Sequence, residues 1–116
     1  MRKREDKKLL KVLGVKKRDG RIWVERRYNG TQERQDTKIP IQPFVVEPAY
    51  VNYSAGVTLN MGNYQSARID VGISLPTYIE EIPDAYKQAI GIVDKVIEEE
   101  VNKLRNSVSN GGGGNG

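Results

Sequence analysis

The chain has 116 residues, 37% of them hydrophobic and 29% charged, with a net charge of +4; these are the dimensions of one domain with a single modest core. It contains no cysteine and no histidine, which excludes disulfides, thiolate chemistry, imidazole bases and nearly every zinc or iron site. No apolar run approaches the roughly 18 residues a membrane span needs. The basic opening Met1 to Lys8 leads through Leu9-Leu10 only to Lys11, without the apolar core of a secretory signal, so the expected location is the cytoplasm, that of a host if the protein is viral.

In chain order, residues 1–8 read as a basic arm, 9–108 as one α+β domain and 109–116 as a flexible glycine-rich tail. Asp19-Gly20 is a strong two-residue turn signal, and it predicts a hairpin with strands at Leu9 to Lys17 and Arg21 to Tyr28. In the second strand Ile22, Val24, Arg26 and Tyr28 share one face and Trp23, Glu25 and Arg27 the other. With arginines on both faces this strand is expected at an edge or projecting from the body. Asn29-Gly30 ends it, and Thr31 to Lys38 reads as a polar loop. The segment Ile39 to Pro48 carries three prolines, which marks an extended crossing or a short edge strand, with Phe44 and Val46 available to cover the core.

From Tyr50 to Leu75 the alternation is strict. Val51, Tyr53, Ala55, Val57, Leu59 and Met61 point one way, and Ala67, Ile69, Val71, Ile73 and Leu75 of the returning strand match them. Both sets occupy odd positions, so opposed residues must sum to an even number. A three-residue loop Gly62-Asn63-Tyr64 satisfies this, pairing Leu59 with Ala67, Val57 with Ile69 and Ala55 with Val71, and leaving Tyr64 at the tip. The outward face is built of small polar residues and two glycines, with Arg68 and Asp70 its charges, a surface that another backbone can approach closely.

A helix is predicted from Pro83 at its first position, with Asp84 at the positive end of the dipole. Tyr86, Ala89, Ile90, Val93, Val96, Ile97, Val101, Leu104 and Val108 form its apolar stripe. Packing that stripe on the odd face of the hairpin buries β-branched side chains worth about 1.5 to 3 kcal/mol each. The predicted fold is therefore an antiparallel sheet of about four strands, two successive hairpins, covered by one long C-terminal helix. The helix is long for so small a domain, and its far end is a place for a homodimer contact.

The paired acids Glu80-Glu81 and Glu98-Glu99-Glu100 read as a solvated helix face. No phosphate loop, nucleophile elbow or metal-binding spacing occurs, so the chain is expected to be non-enzymatic, with no cofactor and no metal. Charge is divided unevenly. Residues 1–34 hold thirteen Lys/Arg against five Asp/Glu, whereas residues 35–116 hold six against ten. A basic segment on a mildly acidic body suits a polyanion.

The run Asn60-Met61-Gly62-Asn63-Tyr64-Gln65-Ser66-Ala67-Arg68-Ile69-Asp70-Val71-Gly72-Ile73-Ser74-Leu75-Pro76, followed by acids and a helix, resembles a stretch found in a family of small tailed-phage proteins. The resemblance spans about the last half of the chain and implies a bacteriophage context of replication or recombination. The function expected from charge and resemblance together is binding of nucleic acid, single-stranded DNA before duplex, with little sequence preference. Lys16, Lys17, Arg18, Arg21, Arg26, Arg27 and Arg68 would meet phosphates, and Trp23, Tyr28 and Tyr64 would offer faces for base stacking. The alternative is a protein-interaction module, an accessory factor or inhibitor of a host protein that works through the sheet face or the helix.

Overall fold

The computed structural model describes residues 14–62 and 65–113. Four strands, β1 (Gly20–Tyr28), β2 (Thr31–Ile39), β3 (Ala49–Gly62) and β4 (Gln65–Thr77), are followed by a 3-10 turn at Ile79–Glu81 and the helix α1 (Ile82–Gly113). All pairings are antiparallel, and the strand order across the open sheet is β2-β1-β4-β3. The expected α+β architecture, one helix on a four-stranded antiparallel sheet, is what forms.

The first hairpin keeps the strand read at Arg21 to Tyr28, which is β1, but its turn and its partner strand are different. The turn is Asn29-Gly30, both at positive φ (53° and 72°), the backbone of a type I′ turn that matches strand twist. The polar stretch expected as a loop is β2, which pairs with β1 from Gly20↔Ile39 to Tyr28↔Thr31. Its side chains are exposed along nearly the whole strand, so no apolar alternation announces it. Asp19-Gly20 is no turn. Gly20 opens β1 and is buried, and a Cβ there would stand 3.1 Å from both Leu75 Cδ2 and Ser74 O; close packing, not a positive φ, is the reason for glycine. Ahead of it, Lys16 makes a bridge to Phe44. Residues 9–13 of the expected strand and the basic arm lie outside the described residues.

β1 is also not an edge strand. It lies between β2 and β4, with Val24 buried opposite Val71. The sequence of β1 looks unfit for the interior because of its arginines, but Arg26 finds its carboxylate partner on α1, as described below.

The long hairpin has the register that alternation requires: Leu59↔Ala67, Val57↔Ile69 and Ala55↔Val71. The count is completed differently near the tip. Gly62 pairs with Gln65 after a register shift between Asn60 and Gly62, so a bulge at Met61 does the work of the third loop residue. Asn60 Oδ1 accepts from Gly62 N–H at 2.8 Å, and Gly62 has φ +84°. Tyr64 lies outside the described residues.

α1 packs on β3 and β4, crossing the odd-numbered face of the hairpin. Ala85, Ala89 and Val93 sit directly against it and are buried, the two alanines letting the helix approach closely. Val96, Ile97, Val101 and Leu104 continue the contact. The helix begins one residue before the expected Pro83, and it runs on to Gly113, into the stretch read as a tail; the side chain of Val108 lies outside the described set. Phe44 covers the core at 1% exposure, whereas Val46, expected to share that task, is 55% exposed. Phe44 packs edge-on against Tyr78 at 4.9 Å between ring centroids, and Tyr78 Oη accepts from Val45 N–H at 3.1 Å.

Candidate nucleic-acid interface

Among the described residues, one helix on a four-stranded sheet leaves the other sheet face uncovered. Residues opposed in an antiparallel ladder point to the same side, so the pairings define that face row by row. Lys38, Arg21, Ser74 and Asn52 form one row, and Asp36, Trp23, Gly72 and Ser54 the next. Arg34, Glu25, Asp70 and Gly56 follow, then Gln32, Arg27, Arg68 and Thr58. Five basic and three acidic side chains share this surface with the chain's single tryptophan. The other side of the molecule has the opposite bias, because residues 79–107 hold seven acids against four bases.

Trp23 lies across the middle of the face. Its indole occupies the space over Gly72, where any Cβ would overlap Cε2. The Arg34 guanidinium stacks over the ring at 4.8 Å from the centroid, in cation–π range. Arg34 is held there by Glu25 and Asp36, each at 3.0 Å. Both carboxylates raise its pKa, the Asp36 hydrogen bond most. The second glycine of the face, Gly56, is similarly covered, by the Arg68 and Asp70 side chains. The close backbone approach expected at these glycines is therefore taken up by the protein's own side chains.

Arg27 and Arg68 stand directly opposite one another on β1 and β4. Like charges so placed repel, and Asp70 lies between them, 2.9 Å from Arg68 Nη2 and 3.6 Å from Arg27 Nη2. The Arg68 hydrogen bond is the main cause holding the Asp70 carboxyl below its ordinary range, with Arg27 assisting. One carboxylate thus serves two guanidinium groups, and the excess positive charge faces a shallow depression lined by Arg27, Asn29, Gln32, Thr58, Ser66 and Arg68. Hydroxyls, amides and guanidinium groups together are the donor set that binds phosphate oxygens. At the opposite end of the face Arg21 and Lys38 are neighbours, and neither forms an ion pair among the described residues.

The structure divides the residues proposed from sequence into groups. Arg21, Trp23, Arg27 and Arg68 come together on the uncovered face, joined by Arg34 and Lys38, which no sequence signal points to because the exposed β2 has no apolar alternation. Lys16, Lys17 and Arg18 precede β1; Arg18 makes a bidentate pair with Glu47 at 2.8 and 2.9 Å. Arg26 and Tyr28 point to the helix side. Arg26 donates to both Glu100 carboxylate oxygens, at 2.6 and 2.9 Å, a partner that removes it from any surface role. Glu100 itself is a correction to the solvated-face reading of Glu98-Glu99-Glu100. It sits in the buried stripe of α1 at 8% exposure, where the spacing from Ala89, Val93 and Val96 calls for an apolar residue. Tyr64 lies outside the described residues.

Among the described residues no cluster of acids is placed to hold a metal ion, and no helix is long and apolar enough to cross a membrane. No family model, curated protein or solved structure matches the chain.

Proposed function

We propose that the uncovered sheet face binds single-stranded nucleic acid with little sequence preference, as a non-enzymatic accessory to phage-type replication or recombination. The observation that carries this reading is Trp23, laid flat at the centre of an uncovered four-stranded face and ringed by Arg21, Arg27, Arg34, Lys38 and Arg68. Open antiparallel faces with a central aromatic group suit splayed single strands, whose bases stack on the ring while basic side chains follow the backbone. A base reaches the Trp23 ring by taking the place of the Arg34 guanidinium, and Arg34, so released, meets phosphate. Arg21 and Lys38 at one end of the face, and Arg27 and Arg68 at the other, supply phosphate contacts on either side of that base. The acid-rich helix side repels the same polyanion, which orients the complex. The phage context rests on the resemblance of residues 60–76 alone.

Fluorescence anisotropy with labelled oligonucleotides at low salt tests the proposal. Binding should weaken with salt at about 0.7 logarithmic units per phosphate neutralised. Trp23→Ala should cost about 1 to 3 kcal/mol of affinity, as loss of one stacked base does. Arg27→Ala with Arg68→Ala should lower the salt slope by roughly 1 to 1.5, whereas loss of Lys16 and Lys17 should act less. Absence of binding to single and double strands at low salt refutes it.

A further inference from the structure

The sheet has two edges, and they are built in opposite ways. β2 carries Glu33, Arg34, Asp36 and Lys38 within nine residues, the charged dressing that keeps an edge from pairing with other chains. β3 is fourteen residues long and contains no charged residue and no proline. The charge-free run extends from Pro48 to Ala67. Among the described residues no strand pairs with the outer side of β3.

The apolar layer beside this edge is also unfinished. On β4 the inward row is fully buried: Ala67, Ile69, Val71, Ile73 and Leu75 are all at 5% exposure or less. In the matching row of β3, Val51 is buried, but Tyr53, Ala55, Val57, Leu59 and Met61 are only half-buried. On α1, Tyr86 packs edge-on against Tyr53 at 6.0 Å between ring centroids and remains 45% exposed. Ile90, Ile97 and Val101 share its side of the helix by spacing, and all three are half-buried.

We propose that β3 is the dimerisation edge, and that a second copy of this chain pairs β3 to β3 antiparallel, joining two four-stranded sheets into one of eight strands. A two-fold axis normal to the sheet sets both helices on one side and opposes residues of like parity, so the half-buried rows of both copies meet. With the strands fully overlapped, Ala55 or Gly56 lies on the axis. The occupant is self-complementary because neither strand brings a charge that needs a partner. Fourteen residues make an edge of about 46 Å, and a sheet-plus-helix margin of roughly 15 Å gives on the order of 700 Å² per partner, close to a standard interface. The sequence alone suggested the far end of α1 for such a contact, but its apolar stripe is applied to its own sheet as far as Leu104. In the dimer both uncovered faces lie on one side, so two Trp23 sites share a continuous surface.

Sedimentation equilibrium of the full chain from about 1 to 100 μM, the range that registers a micromolar Kd, should show a species of twice the 13.1 kDa chain mass. Ser54 and Thr58 are exposed on β3 on either side of Gly56. Ser54→Lys with Thr58→Lys should weaken the dimer about tenfold or more by opposing like charges, as should Ser54→Glu with Thr58→Glu, while circular dichroism stays that of the parent. Mixing the two variants should restore the double-mass species. A parent that stays at single mass over the range, a lysine variant that remains dimeric, or a mixture that fails to reassociate each overturns the proposal.

Discussion

Replacing Glu100 tests whether the one carboxylate in the apolar stripe of α1 is a structural element. Its side chain is 9% exposed and that of Arg26 is 22% exposed, and they share two hydrogen bonds of 2.6 and 2.9 Å. Breaking a buried pair from one side leaves an uncompensated charge, at a cost of about 3 to 5 kcal/mol when burial is complete. Arg26 retains some water and has Glu33 at 4.0 Å, which brings the expected loss for Glu100→Leu to about 2 to 3 kcal/mol. For a chain of this size that is a fall in Tm of roughly 10 °C. The double variant Arg26→Met with Glu100→Leu removes both charges and fills the stripe, so it should return to parental stability or exceed it. Thermal and urea unfolding of these two and of Arg26→Met closes a double-mutant cycle, with an expected coupling above about 1.5 kcal/mol. A Glu100→Leu protein as stable as the parent, or additive single effects, would refute the account of Arg26 in the sheet interior.

The same pair predicts acid sensitivity. Arg26 holds the Glu100 carboxyl below its ordinary value of 4.5, so its contribution is complete above that value and is lost as pH falls through the depressed one; Glu100→Gln should flatten stability below pH 4.5 in urea titrations. Gly72→Ala places a Cβ against the Trp23 indole and should cost about 1 to 3 kcal/mol, with a red shift in the emission of the only tryptophan as it lifts into water. Gly30→Val, at φ +72°, should cost about 1 to 2 kcal/mol in thermal unfolding, while Asn29→Gly should be tolerated. Gly91→Ala, on the exposed side of α1 with nothing within 4 Å of the new Cβ, should instead stabilise by about 0.5 to 1 kcal/mol.

Half of this molecule is legible in its sequence because its determinants are local. The odd-numbered alternation in Val51 to Leu75 dictates which faces of β3 and β4 are buried, and parity alone then yields the pairing of Val57 with Ile69. The three- and four-residue steps of Ala89, Val93, Val96 and Ile97 identify the helix and the side it buries. The candidate face was legible only in part. Alternation sets Arg21, Trp23 and Arg27 on one face of their strand and Arg68 on the outward face of its own, but the β1–β4 pairing that joins them is not in the pattern, and Arg34 and Lys38 belong to a strand with no apolar face to mark it.

The remainder is decided by contacts between distant residues. β2 is a strand because the Asn29-Gly30 turn returns it along β1, whose backbone groups it satisfies whatever its side chains are. β1 takes an interior place although Arg26 argues against it, because Glu100, 74 residues away in the chain, supplies the carboxylate that makes burial affordable. Gly20 reads as a turn residue and Gly72 as room for the approach of another backbone, and each instead has another element packed over it: Leu75 in one case, Trp23 in the other. Periodicity reports which side of an element meets the core. It does not report which other element, and which charge, will be waiting there.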